Sequence, residues 1–121
     1  MYQANVFGDK LYHATSEGYG DSIELFGQTN EGDTPMSLVV IALGACVTMC
    51  IQGFYKRKYA IEVMPITVST SFENDRFNQT IQLPEKLEEE TEQALLAYIS
   101  RSCNVKKVLR QDLVFNIKFT Y

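Results

Sequence analysis

The stretch from Thr34 to Lys58 constrains this chain more than any other. Leu38, Val39, Val40, Ile41, Leu43, Val47, Ile51 and Phe54 fall on every side of a helix built from it. A helix apolar all round is either buried or membrane-spanning. The run without a strongly polar residue, Leu38 to Ile51, is shorter than the roughly 20 residues a bilayer needs, so burial is expected. Thr34 offers an N-cap hydroxyl and Pro35 suits the first helical position. Lys56, Arg57 and Lys58 place positive charge at the negative end of the helix dipole. Gly44, Ala45 and Gly53 would let other elements approach closely. Cys46 and Cys50 lie one turn apart on the same side.

The remaining residues must cover this helix. Before it, Asn5–Phe7, Lys10–Thr15 and Ser22–Phe26 read as short strands, with turns at Gly8-Asp9 and around Gly18–Asp21. After it, Ile61 and Val63 share one parity and Ile66, Val68, Thr70 and Phe72 the other, a phase change that places a bulge at Met64-Pro65. Glu73-Asn74-Asp75-Arg76 is a hairpin turn into Phe77–Leu83. Pro84 opens a second helix with Leu87, Thr91, Ala94, Leu95, Tyr98 and Ile99 as its buried stripe. This helix ends or bends at Ser102-Cys103-Asn104, with room for one further turn over Val105–Leu109. Leu113, Phe115, Ile117, Phe119 and Tyr121 then alternate as a last strand. The order β-β-β-α-β-β-α-β predicts an α+β fold in a single domain over residues 1–121.

The balance of charges excludes some functions. With 11 basic and 15 acidic residues the net charge is −4, and no basic excess exists to meet the phosphates of a nucleic acid. Met1-Tyr-Gln-Ala-Asn has no signal-peptide pattern, which predicts a cytoplasmic protein with its three cysteines kept as thiols. One histidine, His13, and no Cys-x-x-Cys pair give no zinc spacing, so His13 reads as a surface or interface strand residue. Cys46 and Cys50, inside an apolar helix, read first as small buried hydrophobes. Cys103 differs: Ser102 and Asn104 flank it, and Lys106 and Lys107 would favour a thiolate. Two cysteines brought together by folding could react with an oxidant in sequence, through a sulfenic acid and then a disulfide.

Thr34-Pro-Met-Ser-Leu38 and Ala42-Leu-Gly-Ala-Cys46, with Ser102-Cys-Asn-Val105 downstream, resemble the OsmC/Ohr family of osmotically inducible and organic hydroperoxide resistance proteins. The likeness runs over most of the chain. It implies an intertwined homodimer with a long buried central helix. It also implies a thiol-dependent peroxidase that reduces organic hydroperoxides or hydrogen peroxide in oxidative stress defence. Cys46 would be the peroxidatic cysteine and Cys103 the resolving one, a dithiol the reductant, and no metal or organic cofactor is implied. Ser37, nine residues before Cys46, stands where the family's peroxidases carry a glutamate, and no arginine precedes Arg57. Lys10 is an N-terminal cation that could stand in for that arginine. Asn104 stands where a proline commonly follows the second cysteine. These departures keep a second reading open: a non-catalytic relative with a stress-related structural role, or one binding a small apolar ligand near Met36, Val40 and Phe54.

Overall fold

The computed structural model describes all residues from Met1 to Tyr121. The elements are β1 (Asn5–Lys10), β2 (His13–Glu17), β3 (Glu24–Phe26), α1 (Pro35–Tyr59), β4 (Thr67–Glu73), β5 (Arg76–Gln82), α2 (Glu89–Ser102), α3 (Asn104–Val108) and β6 (Val114–Thr120). The fold is α+β, as expected. The chain forms two compact units, Met1–Val39 and Val40–Tyr121, and α1 passes from the first into the second.

The first unit is an antiparallel sheet in the order β1-β2-β3. Its first turn differs from expectation. β1 runs through Gly8-Asp9 and reverses at Leu11-Tyr12, where Tyr12 takes φ 54°. Gly8-Asp9 forms a bulge instead: Gly8 pairs with Ala14 and Lys10 with His13, leaving Asp9 unpaired. No residue of this unit is buried, and Val6, Phe7, Leu11 and Tyr12 are more than half exposed.

At the start of α1 the Thr34 hydroxyl accepts from the Ser37 amide at 3.0 Å, and the Thr34 amide donates to the Ser37 hydroxyl at 2.8 Å. This is a capping box with serine in the third position. At the other end Ala60 takes φ 57°, and the Ala60 and Ile61 amides donate to the Lys56 and Tyr55 carbonyls. That left-handed cap stops the helix after its run of three cations.

In the second unit β4-β5-β6 form a sheet, with β5 antiparallel to β4 and parallel to β6. Asn74 and Asp75, both with positive φ, make the expected two-residue hairpin turn. The core joins Leu43, Val47, Cys50, Ile51, Phe54 and Tyr55 of α1 to Phe77 and Ile81 of β5, Leu83, and Leu95 and Ile99 of α2. By length and composition α1 could cross a membrane, yet here it is a core helix with one buried face rather than cover on all sides. Ile41 and Met49 stay 50% and 67% exposed. Gly44 and Gly53 do permit close approach: a Cβ on them would lie 3.1 Å from the Thr70 hydroxyl of β4 and 3.2 Å from the Tyr98 hydroxyl of α2. Ala45 instead faces outward.

Two further expectations are corrected. Residues 60–66 pair with no strand, and β4 begins only at Thr67, beyond the proline that cannot donate to a ladder. The phase change at Met64-Pro65 is a boundary and not a bulge. Helix α2 starts at Glu89, with Glu88 at the N-cap position making no side-chain cap bond, and not at Pro84; Leu87 therefore precedes it, and Ala94 is exposed. The single turn over Val105–Leu109 is the separate helix α3. The last strand alternates as expected, with Phe115, Ile117 and Phe119 on its covered side.

Candidate active site

Cys46 sits three turns into α1, on the flank between its buried and exposed faces, and is half-buried. Cys50 follows one turn later in the core, 8% exposed, and Cys103 is fully buried at 0%. Cys103 is a junction residue. Its amide donates to the Ile99 carbonyl at 3.0 Å, closing α2, while its Sγ accepts from the Lys106 amide at 3.4 Å, capping α3. The backbone there is extended (φ −75°, ψ 103°), so the chain breaks between helices and the thiol turns inward.

The fold brings all three thiols together. Burial opposes ionisation of Cys46, but the Val105 amide, the Cys103 thiol, the Asn104 amide and the Cys50 thiol outweigh it and hold its pKa below the ordinary thiol value. Cys103 goes the other way: burial pushes its thiol up and the neighbouring Cys46 adds to this, against the Lys106 and Val105 amides. Cys50 is pushed up to about 12 by burial, then by the charges of Cys103 and Cys46. The result is one thiol disposed to ionise beside two that stay protonated, and the thiolate is the nucleophilic form.

Several expectations change on this geometry. The lysines do not make Cys103 a thiolate: the Lys106 ammonium lies 5.0 Å over the Phe115 ring, and only its backbone N–H reaches the sulfur. No cation of the second unit is among the groups acting most strongly on Cys46. Backbone N–H groups at the start of α3 do that work. Ser37 is occupied in the helix cap, donating also to Asp33 at 3.1 Å. Cys50 was legible only as a core residue, although its i,i+4 spacing from Cys46 was the signal that it shares the site.

His13 also gains partners that spacing did not reveal. Its Nδ1 lies 2.6 Å from Asp9 and its Nε2 2.6 Å from Glu24, with Phe26 at 5.4 Å. The bulge frees Asp9 to reach it. Glu24 and then Asp9 raise the pKa of His13. A cavity of about 530 Å³ lies between Tyr55, Tyr59, Met64, Pro65, Leu87 and Thr91. No cysteine lines it, nor do Met36, Val40 or Phe54; Val40 lines a separate hollow of about 370 Å³ with Ile41 and Gly44.

An α+β fold in which a long helix and a helix junction converge three thiols defines the class of protein. The chain belongs to the OsmC family: the model for OsmC-like proteins matches residues 28–118. Solved structures share its fold. A hypothetical protein from Aquifex aeolicus VF5 superposes with TM-score 0.77 at 16% identity, covering 99% of this chain and 95% of its own. The OsmC-like protein from Mycoplasma pneumoniae gives 0.70 at 16% identity, over 99% and 96%. The organic hydroperoxide resistance protein OhrB of Bacillus subtilis gives 0.65 at 18% identity, over 99% and 98%. No curated protein sequence matches the chain.

Proposed function

We propose that this protein is a thiol-dependent peroxidase that reduces organic hydroperoxides or hydrogen peroxide, with Cys46 as nucleophile and Cys103 as resolving thiol. The observation that carries the reading is the asymmetry of the cluster: the Cys46 thiolate is favoured, and the protonated Cys103 beside it is among the groups that favour it. The Cys46 thiolate attacks one peroxide oxygen; the S–O bond forms as the O–O bond breaks, and the departing alkoxide takes a proton to become the alcohol. The Cys103 thiol then condenses with the Cys46 sulfenic acid, forming the disulfide and releasing water. A dithiol reductant returns both thiols, and a cytoplasmic location would supply it. Non-reducing mass spectrometry after stoichiometric cumene hydroperoxide tests the reading. A peroxide-dependent disulfide on Cys103, formed through Cys46, is expected and is lost in C46S and C103S; a chain that leaves Cys103 reduced refutes it.

The assembly we propose is a homodimer. The first unit carries no buried residue, and a small sheet needs a covered apolar face to be stable. Ile41 and Met49 likewise mark an uncovered side of α1, unlike Val47 and Phe54, which the core already takes. A second copy is the commonest cover for such surfaces. Sedimentation equilibrium at low micromolar concentration should give twice the 13.8 kDa chain mass; a folded species at the chain mass refutes it.

The other reading, a small apolar ligand, is favoured by the 530 Å³ cavity, a volume usual for small-molecule sites. It requires no activated thiol, so the pH dependence of Cys46 alkylation separates the two.

A further inference from the structure

Cys50 has no part in a two-cysteine cycle, yet it is the third member of the thiol cluster. It lies on the same side of α1 as Cys46 and interacts with both Cys46 and Cys103. It cannot readily bond to Cys46 itself: side chains at i and i+4 of one regular helix run nearly parallel, which opposes disulfide geometry. Cys103 is on a different element and carries no such restriction.

Resting on the peroxidase reading above, we propose that Cys50 is a third redox thiol, which attacks Cys103 in the Cys46–Cys103 disulfide and moves that disulfide into the core. The Cys50 sulfur bonds to the Cys103 sulfur, the Cys46–Cys103 bond breaks, and the electron pair leaves with Cys46. The Cys50 proton is released, and no outside oxidant or reductant is consumed. The product is a Cys50–Cys103 disulfide with Cys46 again a thiolate, ready for a second hydroperoxide.

Two features drive the exchange in this direction. Cys46 is the better leaving group, because the Val105 and Asn104 amides stabilise its thiolate, and thiols that ionise readily depart faster. The brake on Cys50 is also released by the first turnover. Burial holds its thiol protonated, but the next causes are the charges of Cys103 and Cys46, and a neutral disulfide between those two removes both. The new disulfide lies between residues 8% and 0% exposed, while half-buried Cys46, the most exposed of the three, is left as the free thiol. The chain then holds one disulfide and one sulfenic acid at full oxidation, about two peroxide equivalents where a two-cysteine cycle takes one.

The test is titration of the fully reduced protein with cumene hydroperoxide, with dimedone to trap sulfenic acid and removal of excess oxidant. Cyanogen bromide cleavage after Met36, Met49 and Met64 then puts Cys46, Cys50 and Cys103 on three separate fragments. Wild type should consume a second equivalent, link the Cys50 and Cys103 fragments, and carry dimedone on Cys46. C50A should stop at the first equivalent with Cys46 linked to Cys103. A wild-type chain that stops there too, with Cys50 free, overturns the relay and leaves the peroxidase reading standing. A chain in which all three cysteines stay reduced overturns both. The wild-type mapping decides the matter even if C50A folds poorly.

Discussion

Gly44, in the turn of α1 just before Cys46, is held against β4 by a contact whose energetic sign can be reversed. Replacing glycine by alanine in a helix interior ordinarily gains about 1 kcal/mol. Here the new Cβ would lie 3.1 Å from the Thr70 hydroxyl and 3.8 Å from the Thr70 Cβ. The hydroxyl cannot simply yield, because it accepts a 3.1 Å hydrogen bond from the Gln79 amide, on a residue only 4% exposed. Displacing it strands a buried donor at about 1–3 kcal/mol, in the range that overpacking costs. We therefore expect G44A to destabilise by about 1–2 kcal/mol. In a T70A background the obstructing oxygen is gone and the nearest atom is at ordinary contact distance. There G44A should stabilise by up to about 1 kcal/mol, a coupling of roughly 2 kcal/mol across the cycle. T70A alone orphans Gln79, but that loss is common to both arms. Urea unfolding of all four proteins at one fixed concentration measures the cycle. The same sign for G44A in both backgrounds refutes the claim that the Thr70 hydroxyl sets the α1–β4 spacing.

The remaining predictions concern ionisation and packing. Alkylation of Cys46 should show a midpoint below that of an ordinary thiol, whereas Cys50 should resist reagent at neutral pH because burial pushes it up to about 12; mass-resolved labelling across pH reads both. N104P removes one amide from Cys46 at a helix-start position where proline is tolerated, so the Cys46 midpoint should rise while circular dichroism is unchanged. His13 has its pKa raised in the fold, so its contribution to stability is complete below the ~6.5 of an unfolded histidine and is lost as pH rises through the higher folded value. Asp9, lowered by its hydrogen bond to His13, contributes above the unfolded ~3.9 and loses its contribution as pH falls through the lower folded value. Thermal melts should therefore weaken above about pH 6.5 in wild type and much less in H13Q. Ile81→Ala, at 0% exposure on β5, should cost about 2–5 kcal/mol by urea unfolding.

The elements with strong periodicity were legible in the sequence. The alternation of Leu113 to Tyr121, the Asn74-Asp75 turn and the apolar Thr34–Lys58 run each have a local physical cause and appear in the fold. The failures have causes as well. Gly8-Asp9 is good turn chemistry, but the turn fell at Leu11-Tyr12 and glycine was used for a bulge, a choice fixed by pairing with β2. Residues 61–66 carry strand-like side chains without a partner strand, and pattern alone cannot reveal a missing partner. At the site, Cys46 and Cys103 could be singled out by resemblance. Their environment could not, because the groups acting on Cys46 are backbone amides of a distant helix junction. Those amides have no side-chain signature, so the missing Glu and Arg kept a non-catalytic reading open when the fold supplies another source of stabilisation.

The parallel pairing of β5 with β6 has a consequence in time. The β4–β5 hairpin closes through two residues and can form early, but Phe77 meets Phe115 only after the whole α2–α3 crossover has been threaded. Cys103 lies within that crossover. Its thiol therefore reaches Cys46 and Cys50 in one of the last steps of folding, and during synthesis only once β6 has been made. Refolding followed by pulsed thiol labelling should find Cys103 open to reagent well after the hairpin amides are protected. Until the final strand docks, the chain would thus carry three separate cysteines and no redox centre.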